Sequence, residues 1–63
     1  MIKLTPSKSL ELYRKWKEDM TVDLYRSVAA YIFSILIEDI TTDQRKEAKY
    51  SFYVAMYGLE LNG

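Results

Sequence analysis

The sequence predicts an all-α protein, a short three-helix chain forming one domain over residues 1–63. Apolar residues recur at helical spacing along nearly the whole chain. Capping residues stand where helices should begin. The β-branched residues fall inside the helical period instead of alternating as they would in a strand.

Helix 1 is expected at about 6–19. Thr5 can cap it, and Pro6 at the first helical position gives up no needed hydrogen bond. Ser9, Leu12, Tyr13, Trp16 and Met20 then form one stripe, while Glu11, Arg14, Lys15, Glu18 and Asp19 occupy the other side. Thr21 followed by Asp23 reads as a fresh cap and first turn, so a break is placed there.

Helix 2 is expected at about 22–39. Val28 to Ile37 is almost unbroken apolar sequence, interrupted only by Ser34. Leu24, Val28, Tyr31 and Ile35 follow one seam; Tyr25, Ala29, Ile32 and Leu36 follow a second beside it. A helix apolar on nearly every side must be surrounded. A charge placed at Ile32 or Ile35 is therefore expected to abolish folding or assembly.

Helix 3 is expected at about 43–60. Thr41 and Gln44 have the spacing of a capping box, with Asp43 in the first turn, and Gly58 is a candidate C-cap. Ala48, Phe52, Ala55 and Leu59 make one seam. Lys46, Tyr50, Tyr53 and Tyr57 make another, roughly opposite.

A chain of 63 residues buries only about 60% of its unfolded surface. Small domains usually add a disulfide, a metal or a partner, and this one has neither Cys nor His. With 49% apolar residues, oligomerisation is the remaining route. The expected architecture is a homodimeric helical bundle. One seam each of helices 2 and 3 closes the hairpin, the other meets a second copy, and helix 1 packs outside. The residues assigned to core or dimer seams are Leu24, Val28, Tyr31, Ile32, Ile35, Leu36, Phe52, Ala55 and Leu59.

The catalytic vocabulary is thin. There is no nucleophile elbow, P-loop, phosphate-cradling glycine loop or zinc spacing, and Gly58 and Gly63 are the only glycines. No enzymatic activity, cofactor, metal or small-molecule substrate is expected. Glu38, Asp39, Asp43 and Glu47 could offer oxygen ligands to a hard cation, but their spacing matches no calcium loop. They read as solvated helix ends.

The Lys46-Tyr50-Tyr53-Tyr57 stripe, flanked by Arg45 and Lys49, is the candidate interaction face. Tyr and Arg favour protein interfaces, and the same residues could stack on unpaired bases. Lys plus Arg and Asp plus Glu number nine each, so no net field draws the chain to nucleic acid or to an anionic membrane. A helix-turn-helix would place Gln44, Arg45, Lys46 and Lys49 near base edges. A helix 2 of about 18 residues is too long and apolar for the supporting role there.

The functional expectation is a small, cytoplasmic, non-enzymatic adaptor that binds itself and another protein, of the size class common in viruses, phages and plasmids. The alternative is a nucleic-acid-binding regulator using the basic, aromatic face of helix 3. The apolar run is too short to span a bilayer, and the first residues lack the pattern of a secretory signal. Scarce amides and absent Cys lean toward a thermophilic source.

Overall fold

A computed structural model describes residues 2–62, and the side chains of residues 2–58. It is all-helical: α1 (Pro6–Glu18), α2 (Leu24–Phe33), a 3₁₀ turn (Ile37–Asp39) and α3 (Thr42–Asn62). Among the described residues no helix is long and apolar enough to cross a membrane.

Helix α1 starts as its sequence dictates. Thr5 is extended, its hydroxyl oxygen accepts the Lys8 N–H at 3.1 Å, and Pro6 opens the first turn. The helix stops at Asp19, whose N–H still donates to the Trp16 carbonyl while its own backbone leaves helical geometry. The Asp19 carboxylate accepts the Thr21 hydroxyl and N–H, and these two bonds hold its carboxyl below the usual range. The Trp16 indole N–H donates to the Val22 carbonyl at 2.7 Å and pins the link to α2.

Helix α2 begins two residues later than the expected 22 and ends well before 39. Asp23 is the N-cap, accepting the Tyr25 and Arg26 N–H groups at 2.9 and 3.1 Å. The end comes at Ser34, in the left-handed conformation at φ 56°, with the Ser34 and Ile35 N–H groups both on the Ala30 carbonyl. This is a helix stop normally given to Gly or Asn. A competing backbone bond accompanies it. Had α2 continued, the Ile32 carbonyl would accept the Leu36 N–H; it accepts the Ile2 N–H at 2.8 Å instead. Ile35 and Leu36 consequently lie outside the helix, 38% and 64% exposed, and are not seam residues of it. The Arg26 guanidinium donates to the Ile37 carbonyl at 3.2 Å, tying the 3₁₀ turn back to α2.

At α3 the capping box forms: Gln44 N–H to Thr41 Oγ1 at 3.1 Å, and Thr41 N–H to Gln44 Oε1 at 2.9 Å. Gly58 does not end this helix. It lies within α3 and lacks a positive φ, so the C-cap assigned to it is corrected.

The core joins Val28, Ala29 and Ile32 of α2 to Ile40 and to Ala48 and Phe52 of α3. Leu4, Leu12, Tyr13 and Met56 pack around it, and Ala55 is also buried. Val28, Ala29 and Ile32 are 0–2% exposed within a single chain. Shortening α2 to ten residues is what makes this possible, because α1, α3 and the N-terminal segment suffice to enclose it. The core face of α2 is therefore covered within one chain, without a second copy.

Candidate interaction surface

The α3 residues Ala48, Phe52 and Ala55 turn inward, which leaves the seam about half a turn away largely uncovered, apart from the Tyr25 ring of α2 beside Tyr53. Lys46 is exposed, and Tyr50, Tyr53 and Tyr57 are 72%, 52% and 62% exposed, with Val54 at 57% beside them. The molecule measures 34 × 25 × 15 Å. A body so thin beside a helix of 10–12 Å diameter cannot wrap its longest helix on both sides. The side chain of Leu59, assigned to the buried seam, lies outside the described residues.

One edge of this face is tied to the start of α2. Arg45 donates from Nε to Asp23 Oδ2 at 3.1 Å, and its terminal nitrogen forms an ion pair with the same oxygen at 3.0 Å. Its guanidinium also lies 5.4 Å from the Tyr25 ring centre. Lys49 Nζ stands 5.6 and 5.8 Å from the Tyr25 and Tyr53 rings. Those two rings meet edge to face at 6.0 Å, and the Tyr25 hydroxyl donates to that of Tyr53 at 3.2 Å. That hydrogen bond, with partial burial, raises the Tyr25 phenol above its ordinary value.

The six residues of the candidate face thus divide in two. Arg45, half-buried and charge-compensated by Asp23, is a strut between α2 and α3. Lys49 rests over two rings. Lys46, Tyr50, Tyr53 and Tyr57 remain presented outward, with Tyr53 hinging the two groups. Sequence reasoning missed Tyr25 and Asp23 as members, because both were assigned within α2 with no indication of what stood opposite. The i,i+4 spacing of Arg45 and Lys49 was the available signal, since it places two cations over one neighbour.

Among the described residues no three His, Cys, Asp or Glu side chains converge. The groove of about 330 Å³ under Trp16 is lined by Leu12, Val22, Ala30 and Ile37, and its Ser27 hydroxyl already donates to the Asp23 carbonyl. The link between α2 and α3 does not fit a helix-turn-helix. Helix α2 is short enough, but eight residues separate it from α3, where that motif has a turn of three or four. No protein-family model, curated protein or solved structure matches this chain.

Proposed function

We propose that this chain is a non-enzymatic, self-associating helical interaction protein whose docking surface is the outward face of α3. One observation carries the reading: three tyrosines and a lysine share one uncovered stripe on a helix whose other side is the core. Exposed aromatic groups concentrated this way are uncommon on monomers. Tyr combines large apolar area with a polar tip and loses little side-chain freedom on docking, which suits it to an interface.

Protein rather than nucleic acid is the favoured partner class. The chain is neutral overall, Arg45 is spent on Asp23, and Lys46 is the one exposed cation in the stripe itself. A phosphate-binding face needs several free cations. The adaptor role follows if the surface also serves a second protein.

Sedimentation equilibrium on the purified chain tests the reading. Wild type should show reversible association in the micromolar range, and Tyr53→Ala should weaken it at least tenfold while keeping its helical signal. A monomer across that range would overturn self-association. Salt-dependent, submicromolar binding to DNA or RNA would move the assignment to a nucleic-acid regulator.

A further inference from the structure

The partner best suited to this face is a second copy of the same chain, and we infer that two α3 helices pair antiparallel, Tyr50 against Tyr53 and Lys46 against Tyr57. The inference rests on the self-association proposed above and adds its orientation and register.

Lys46, Tyr50, Tyr53 and Tyr57 repeat with 4-3-4 spacing, the alternation by which one helix presents a seam to another. Asp43 precedes them in the same register and is also exposed. A parallel pair would set Lys46 on Lys46 and Asp43 on Asp43, like charges facing across the interface. The antiparallel pair separates the two Lys46 side chains and leaves like charges facing only at the outer ends of the seam, where Asp43 comes opposite position 60, a Glu, of the other copy. Lys46 of each copy then lies beside Tyr57 of the other, a cation over an aromatic ring. Lys49 already makes that kind of contact within the chain, at 5.6 and 5.8 Å from two rings. The helix dipoles also oppose favourably.

The arrangement is isologous, so it closes on itself as a two-fold dimer and leaves no open end to propagate. Its size is modest. The uncovered fractions of the three tyrosines and Val54 amount to on the order of 500 Å² per copy, given that an aromatic side chain buries about 150–250 Å². Doubled, this sits at the lower bound of about 1,000 Å² for a specific interface. Micromolar, reversible association is the affinity such a patch supports.

The absence of cysteine makes the test direct. Thr42→Cys, carrying a nitroxide, labels an exposed position in the first turn of α3, one turn before Lys46 at the end of the seam. With Tyr50 opposite Tyr53, residue 42 of one copy lies opposite residue 61 of the other. The two labels are then about 28 Å apart along the axis at 1.5 Å per residue. In a parallel pair they would lie about 10 Å apart, the spacing between packed helices. Pulsed dipolar spectroscopy above the dissociation constant should give the long distance, and Tyr53→Ala in the labelled chain should abolish it. A dimer with the short distance overturns the antiparallel inference and leaves self-association standing. A monomeric labelled chain whose unlabelled parent is also monomeric overturns both.

Discussion

Replacing Asp23 separates the two tasks that one carboxylate performs between α2 and α3. Oδ1 caps α2 by accepting the Tyr25 and Arg26 N–H groups, and Oδ2 takes the Arg45 guanidinium. Asp23→Ala removes both. A lost N-cap costs about 1 kcal/mol. The ion pair adds at most about 0.5 kcal/mol, since both side chains are roughly one-third exposed. Unfolding a chain of 63 residues has a transition entropy of about 0.13 kcal/mol/K, so about 1.5 kcal/mol lowers Tm by about 11 °C. Asp23→Asn keeps the cap, because Asn ranks with Asp there. It should lose only about 4 °C.

The two variants also differ in acid. Partial burial pushes the Asp23 carboxyl up, but the donors Arg45, Arg26 and Tyr25 outweigh it, and its value falls below the ordinary 3.8. A depressed carboxyl contributes stability above its unfolded value and loses it as pH falls through the folded one. The gap between wild type and Asp23→Asn should therefore be full at pH 7 and narrow progressively as pH falls below about 4. Comparing the pair cancels Asp19, whose carboxyl is lowered as well. Thermal melts followed by circular dichroism, at one fixed protein concentration, measure this. If Asp23→Asn melts as low as Asp23→Ala at pH 7, capping is not the dominant task. If the gap to wild type persists unchanged at pH 2, the Arg45 pairing is not what separates the two proteins.

Three further substitutions test the remaining packing. Ser9 is fully buried and its hydroxyl has no partner among the described residues, so Ser9→Ala should raise Tm by several degrees, about 0.5–1.5 kcal/mol. A fall in Tm would mean that the hydroxyl is satisfied. Ser34 holds a left-handed conformation that costs a residue with a side chain about 1 kcal/mol, so Ser34→Gly should stabilise by up to that amount. Chemical denaturation of the variant that gives no gain would place that strain elsewhere. Ile32→Asp should leave no cooperative melt, because Ile32 is 2% exposed among apolar neighbours, whereas Ile35→Asp, at 38% exposure, should fold. Equal loss in both would restore the longer helix that the sequence suggested.

That last pair marks where the sequence stopped being legible. The starts of α1 and α3 were readable because a single side chain, Thr5 or Thr41, carries the signal locally. The end of α2 was not. Ser34 is neither Gly nor Asn, and Ile35, Leu36 and Ile37 continue the apolar pattern without a break. What accompanies the stop is Ile2, thirty positions away, whose N–H occupies the carbonyl that the next turn would have used. Periodicity reads neighbours along the chain, and this bond joins residues that are neighbours only in the fold.

Helix α3 poses the opposite case, two legible seams with no sequence rule for which one turns inward. Side-chain size supplies the reason. Ala48 and Ala55 let the backbone of α3 approach α2 closely, and Phe52 fills the space between with no polar atom to satisfy. Burying Tyr50, Tyr53 and Tyr57 instead would hold the helices apart and leave three hydroxyls needing partners in a core whose only polar residue, among the described ones, is Ser9. One tyrosine hydroxyl does find a partner within the chain, Tyr53 against Tyr25, and it lies at the wet edge of the stripe. A polar-tipped ring can be covered by a second helix while its hydroxyl still reaches the rim. The choice of inner seam is thus also the choice of outer one: packing the alanines inward leaves the tyrosines as the face on which a partner can act.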